Sequence, residues 1–176
     1  MAKMTIRFAT AKDTALILSF IKQLAAYEKM SSDVVASEAT LKKWIFEKKK
    51  AEVLIGFVEG QPIGFALFFH NFSTFVGKSG LYLEDLFIKE EYRHLGYGKQ
   101  FFKELAKIAV ERDCGRFEWS CLDWNEPSIA FYKSLGAEPL SEWTIYRLSG
   151  NALKQVAGDI MEKKDEKNGK HTKEKS

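Results

Sequence analysis

The chain has 176 residues, 45% apolar and 29% charged, which is enough for one well-buried domain and short for two. Its net charge of +3 is mild: from residue 151 on seven lysines face five acids, so residues 1–150 hold about +1. These values leave no concentrated basic face for nucleic acid, no apolar run near the roughly 18 residues of a membrane span and no signal-peptide pattern, so a cytoplasmic protein is expected.

Met4–Phe8 alternates as a strand does. Thr10-Ala11-Lys12-Asp13 has the form of a capping box with Asp in its last place, and Ala15, Ile17, Leu18, Ile21, Leu24, Ala25 and Tyr27 then make a broad helical face. Ser37 is expected to cap a second helix through Glu47, with Leu41, Trp44 and Ile45 as its apolar stripe. Ala51–Val58 and Ile63–Asn71, joined by Glu59-Gly60-Gln61-Pro62, read as a hairpin. A loop over Phe72–Ser79 leads to a strand over Gly80–Ile88. Gly98–Asp113 is a helix turned inward on Phe101, Phe102, Leu105, Ile108 and Ala109, ended near Gly115, and Arg116–Leu122 is a strand. A further helix opens at Asn125-Glu126-Pro127-Ser128 and stops at Gly136, and Trp143–Leu148 supplies a last strand. The order β-α-α-β-β-β-α-β-α-β predicts one mixed α/β domain over residues 1–150. Its strands within 51–88 pair antiparallel, and 80–122 holds a parallel crossover. Residues 151–176 form an extension with room for a short helix, disordered from about Lys163, where apolar residues run out.

Cys114 and Cys121 are the only cysteines, without CxxC or zinc-like cysteine–histidine spacing, and His70, His94 and His171 are scattered. No metal site is expected, and both thiols are read as free and buried.

The chemistry concentrates in Tyr82–Gly98, YLEDLFIKEEYRHLGYG. A strand carrying Glu84 and Asp85 runs into Arg93-x-x-Gly96-x-Gly98 and then at once into a helix. A helix N-terminus presents unpaired N–H groups and partial positive charge, and glycines there let a phosphate approach the backbone. The stretch is a candidate pyrophosphate cradle with acids on the strand that leads to it. A P-loop is excluded, because Gly98-Lys99-Gln100 lacks both the spacing and the hydroxyl. A dinucleotide fingerprint is excluded too, because Phe101 stands where its third glycine belongs.

A second motif follows, Trp124-Asn125-Glu126-Pro127-Ser128-Ile129-Ala130-Phe131-Tyr132-Lys133-Ser134-Leu135-Gly136-Ala137, with Asn125 29 residues after Gly96. Together the two resemble the signatures of the GNAT superfamily of acetyl-CoA-dependent N-acetyltransferases. Ala2-Lys3-x-x-Ile6-Arg7-x-Ala9-Thr10-Ala11, Leu24-Ala25-x-Tyr27-Glu28-x-Met30, Tyr82-Leu83-Glu84-Asp85 and Trp124–Ile129 extend the likeness to the spermidine/spermine (diamine) acetyltransferase branch, over residues 2 to about 148. The resemblance implies a GNAT fold: a mostly antiparallel mixed sheet, a parallel strand pair splayed around acetyl-CoA, and helices on both faces. It implies a homodimer as well.

Carried over residue by residue, the resemblance gives the backbone of Leu86, Phe87 and Ile88 to the pantetheine arm. Arg93, His94, Leu95, Gly96, Tyr97, Gly98 and Lys99 go to the pyrophosphate, and Asn125 and Ser128 to CoA. Tyr132 is similar to the acid that protonates the departing thiolate, and Glu84 to the residue that deprotonates the amine through water. Tyr27, Glu28 and Glu84 occupy acceptor positions. The chemistry needs these types: an alkyl ammonium with a pKa near 10 must lose its proton before attacking a thioester, and the thiolate must gain one. From the residues alone, Tyr132 is equally compatible with core packing beside Phe131, and Arg93 with a surface charge. Glu84 and Asp85 are neighbours on a strand and point to opposite faces unless a bulge intervenes, and Glu84 is favoured for the cleft. Near the last strand Glu142-Trp143-Thr144-Ile145 departs from the branch's spacing, and the loop before Gly80 is short. The expected activity is therefore acetyl transfer to a small polyamine or diamine. A lysine-like amino acid of the thialysine type is the alternative acceptor, and a non-catalytic CoA-binding regulatory module the alternative class.

Overall fold

A computed structural model describes residues 2–158. Residues up to Asn125 make one compact unit and those from Glu126 a second. In the first, one five-stranded sheet runs β1 (Met4–Phe8), β2 (Glu52–Val58), β3 (Gln61–Ser73), β4 (Lys78–Ile88), β5 (Phe117–Trp119), in that spatial order. The first four strands are antiparallel neighbours, and β5 joins β4 in parallel. This is the expected mixed α/β sheet with one parallel pair.

Sequence periodicity decides which face each helix covers. In α1 (Thr14–Tyr27), Ile17, Phe20 and Leu24 pack on one sheet face with Val53, Ile55, Phe65 and Phe87, and the Phe20 and Phe65 rings stack at 5.6 Å. The capping box before α1 forms as read, the Thr10 N–H donating to the Asp13 carboxylate at 2.7 Å. Arg7 adds a bond the pattern did not show, gripping both Asp13 oxygens at 2.8 and 2.9 Å and holding that carboxyl well below the usual range. α3 (Tyr97–Glu111) covers the opposite face, with Phe101, Phe102, Leu105, Ile108 and Ala109 all buried. A Cβ on Gly56 would meet the Phe101 ring at 2.8 Å, which places the Leu54/Gly56 side of β2 under α3.

Four local expectations change. After α2 (Glu38–Leu41), which Ser37 caps with a 3.2 Å bond from the Thr40 N–H, the chain widens into a π-helix over Lys42–Glu47. The wider turn aligns residues five apart, so Leu41 and Phe46 join Ile45 against the core while Trp44 stays 52% exposed. The loop predicted over Phe72–Ser79 is shorter, because Ser73 and Lys78 still pair and only residues 74–77 turn. Cys114 and Cys121 are half-buried rather than buried. The hairpin forms on a shorter link than the expected Glu59-Gly60-Gln61-Pro62: Val58 pairs with Gln61, so Glu59 and Gly60, at φ 49° and 79°, make a two-residue turn whose twist matches the strands.

In the second unit, α4 (Glu126–Ser134) ends with the Gly136 N–H on the Lys133 carbonyl at 3.0 Å and the Ala137 N–H on that of Tyr132 at 3.2 Å, the Schellman pattern. The strand expected over Trp143–Leu148 is not formed. A strand takes its hydrogen bonds from a neighbour, and among the described residues none pairs with that segment; residues 150–158 are helical. The disorder expected from Lys163 lies outside the described residues.

Candidate active site

The predicted cofactor half is made of backbone. β4 and β5 pair only from Leu81↔Phe117 to Leu83↔Trp119. Past Leu83 no described residue pairs with β4 on that side, so its edge at Leu86 and Ile88 offers main-chain groups to an extended ligand arm, except the Ile88 carbonyl, which Arg93 already holds. The expectation changes at Phe87, whose side chain is buried in the core and whose main chain turns to Phe65 on β3, as the neighbouring bond from the Lys89 N–H to the Ile63 carbonyl at 2.9 Å sets the alternation. Beyond the strand, His94 (φ 60°) and Gly96 (φ 75°) adopt left-handed backbone, and glycine takes that conformation without the Cβ penalty. The first α3 bond runs from the Gln100 N–H to the Gly96 carbonyl at 3.3 Å, so the N–H groups of Tyr97, Gly98 and Lys99 precede the helical ladder. Positive helix-end potential and a chain stripped of Cβ suit a pyrophosphate. His94, Leu95 and Lys99 are exposed there; the Tyr97 ring is buried and its hydroxyl donates to the Ala2 carbonyl at 3.0 Å, so Tyr97 too has only backbone to offer.

Arg93 is neither extended nor fully exposed. Its Nε donates to the Ile88 carbonyl at 2.9 Å, and its guanidinium lies 4.4 Å over the Tyr27 ring and 5.7 Å from that of Phe87. The side chain is thus folded onto the end of α1.

The acceptor half is made of side chains, and a bulge creates it. Leu67 pairs with Asp85 and Phe68 with Leu83, leaving Glu84 as an extra residue on β4. Before it, Leu81 and Leu83 share the α3 face with Phe68; after it, Asp85 and Phe87 share the α1 face with Leu67 and Phe65. Strict alternation would have sent Asp85 under α3 beside Leu83. The bulge instead brings it toward Glu28, the residue that ends α1. Burial, then the negative charges of Glu84 and Glu28, push the Asp85 carboxyl up to about 6. Burial raises Glu28 as well, and its place at a helix C-terminus sets a carboxylate against the negative end of the dipole. The Cys121 thiol is raised by burial and by the charges of Asp123 and Glu28, which brings the segment after β5 to the same cluster. Among the described residues no lysine or arginine pairs with Glu28, Glu84 or Asp85. Three acids gathered with no cation paired to them among the described residues have the chemistry to complement an ammonium group, and an acid poised near 6 can exchange a proton.

Sequence reasoning placed Tyr27, Glu28 and Glu84 here and left Asp85 out. The available signal was the conflict itself: two adjacent acids inside an apolar strand satisfy no alternation unless the strand bulges. Asn125, at the end of the first unit, is buried, with its N–H on the Leu122 carbonyl at 2.9 Å. In the second unit Ser128 and Tyr132 stand one turn apart on α4, on one helix face. The Tyr132 ring is half-buried and lies 5.5 Å from that of Phe131.

Comparison with known proteins meets this geometry. The model of the acetyltransferase (GNAT) family matches residues 20–137. The thialysine N-epsilon-acetyltransferase of Sus scrofa is 36% identical over 172 residues, covering 90% of this chain and 99% of that protein. The spermidine/spermine N(1)-acetyltransferase-like protein 1 of Homo sapiens is 33% identical over 163 residues, covering 86% of this chain but 23% of that protein. Among solved structures, an integron cassette protein from the mobile metagenome of V. cholerae superposes with a TM-score of 0.74 at 28% identity, covering 89% of this chain and 98% of that one.

Proposed function

This chain belongs to the acetyltransferase (GNAT) family, and we propose that it transfers acetyl to the terminal primary amine of a small acceptor by direct attack in a ternary complex. The family's donor is acetyl-CoA, which supplies the acyl group as an activated thioester. In this reading the open β4 edge at Leu86–Ile88 holds the pantetheine arm, the turn and helix start over Arg93–Lys99 hold the pyrophosphate, and Asn125 and Ser128 contact CoA. Glu28, Glu84 and Asp85 collect the acceptor's ammonium, and Glu84 with Asp85 takes its proton, through water where needed. The neutral nitrogen then forms its bond to the acetyl carbon as the carbon–sulfur bond breaks, and Tyr132 gives a proton to the departing thiolate. Each such proton transfer contributes about 10²–10⁴ in rate.

The observation that carries this reading is the cation-free trio of acids beside an open strand edge. Its chemistry suits any acceptor with an ammonium at the end of an alkyl chain. The names of the two sequence relatives suggest two such classes: a polyamine or diamine, and a lysine-like amino acid of the thialysine type. A homodimer acting in the cytoplasm belongs to the same proposal. Thiol release from acetyl-CoA, followed over a panel of polyamines, diamines and basic amino acids, is expected to show turnover with at least one class. Retained CoA binding with no turnover on any amine would sink the reading in favour of a regulatory CoA-binding module.

A further inference from the structure

The two cysteines lie in opposite electrostatic surroundings. Cys121 is raised by burial and by the charges of Asp123 and Glu28, all of which disfavour a thiolate. Cys114, half-buried in the turn from α3 into β5, keeps different company. Its Sγ lies 3.7 Å from His70 Nδ1, and the Nε2 of that ring lies 2.9 Å from a terminal nitrogen of Arg112. A guanidinium only donates, so Nε2 accepts and Nδ1 carries the ring hydrogen, with the Gly80 carbonyl at 3.0 Å and the sulfur as its two neighbours. Glu52 holds Arg112 in place through a bidentate pair. The Arg112 guanidinium is raised first by its hydrogen bonds to Glu52 and last by the charge of Cys114, so guanidinium and sulfur are within electrostatic reach. His70 and Arg112 are exposed, which leaves the cluster open to a small reagent. Gly80 lies near the start of β4 and Leu86–Ile88 end it, so this cluster sits at the far end of the strand from the cofactor edge.

We propose that Cys114 is a modification site for low-molecular-mass disulfides, with His70 and Arg112 as the groups that favour its attack. The Cys114 proton passes to water, and the thiolate, which is the attacking form, bonds to one sulfur of the disulfide. The sulfur–sulfur bond of the reagent breaks, and its departing thiolate takes a proton from water. Cys114 is thereby oxidised to a mixed disulfide while one half of the reagent is reduced to a thiol. His70 is not the base, because Arg112 occupies Nε2 and Nδ1 already carries a hydrogen; it and Arg112 turn positive edges to the sulfur. The proposal is independent of the acetyl-transfer reading, in which Glu52, His70, Arg112 and Cys114 have no part.

The test incubates the full-length protein with oxidised glutathione, quenches it over time and maps the adduct by mass spectrometry of its peptides. The adduct is expected on Cys114 about tenfold faster, or more, than on Cys121. Cys121→Ser should keep the rate and Cys114→Ser should lose the adduct. Arg112→Gln and His70→Phe should each slow the Cys114 reaction several-fold, while Arg112→Lys, which keeps the positive charge, should slow it less. In denaturant, where these neighbours are gone, the rates of both thiols and of all the variants should converge. A wild type in which Cys121 reacts as fast as Cys114, or in which neither reacts, overturns the proposal without needing any variant to fold. Unchanged Cys114 rates in both Arg112→Gln and His70→Phe overturn it too, since exposure alone then explains the reaction. None of these outcomes bears on acetyl transfer, so the two readings fail separately.

Discussion

The two halves of the site in the first unit are built from different material. From Leu86 to Lys99 the ligand-facing groups are main-chain N–H and C=O, exposed by an unpaired strand edge, two left-handed residues and a helix start. Around Tyr27, Glu28, Glu84 and Asp85 they are side chains, and their carboxylates stand without counter-ions among the described residues. A backbone site is indifferent to most side-chain changes and vulnerable to a misplaced Cβ. A site of partly buried acids is the reverse: its backbone is a bulged strand and a helix end, and its behaviour follows protonation.

Four experiments would break or sharpen that contrast. The largest effect is expected outside both halves: Tyr132→Phe should lower kcat by about 10²–10⁴ while CoA affinity, measured by titration calorimetry, stays near wild type. An unchanged kcat removes Tyr132 from the acid role. Next comes Gly96→Val, which forces a β-branched residue to φ 75°. At a strain of roughly 1–3 kcal/mol, the KM for acetyl-CoA should rise about tenfold or more, with the acceptor KM nearly level; a rise confined to the acceptor would dissolve the division between halves.

Asp85→Asn probes the other half through pH. The wild-type kcat/KM for the acceptor should climb as pH rises through about 6, where Asp85 ionises, and the variant should lose that limb. Stability moves oppositely. Between the ordinary carboxylate value of 3.8 and about 6 the folded protein holds a proton that the unfolded chain has released, so wild-type stability falls as pH rises through this window. Asn removes the slope, and denaturant melts above pH 7 should show the variant gaining at most on the order of 3 kcal/mol. Equal slopes in both proteins would contradict the raised Asp85 carboxyl. The smallest effect belongs to Asp13→Asn, remote from both halves. The Arg7 pair depresses this carboxyl, so the stability it confers is present near neutrality and lost as pH falls below the usual carboxylate range. Because Arg7 is largely solvent-exposed, the loss at neutral pH should be only about 1 kcal/mol, with neither KM altered.

Much of the fold was legible in the sequence because its signals are local. The inward stripes of α1 and α3, the Thr10–Asp13 box and the stop at Gly136 each depend on residues a few positions apart, and each forms as read. The same holds for the turn before α3, where Arg93-x-x-Gly96-x-Gly98 announces a left-handed residue and a helix start. The acid cluster was only half legible: Glu28 and Glu84 were named, but Asp85 was assigned to the far face.

What the sequence determined by itself is therefore the class of the molecule: a mixed α/β acetyltransferase of the GNAT family, with a glycine turn before α3 and an acid-bearing strand leading to it. Tertiary structure alone decided the rest. The bulge at Glu84 exists because β3 and β4 meet in a register that no window on β4 encodes. Arg93 faces Tyr27 because α1 ends where β4 runs out, and Trp143–Leu148, for all its strand-like residues, forms no strand without a neighbour to pair with. Periodicity, caps and turns are settled by covalent neighbours; register, strand partners and the company a charge keeps are settled by segments tens of residues away.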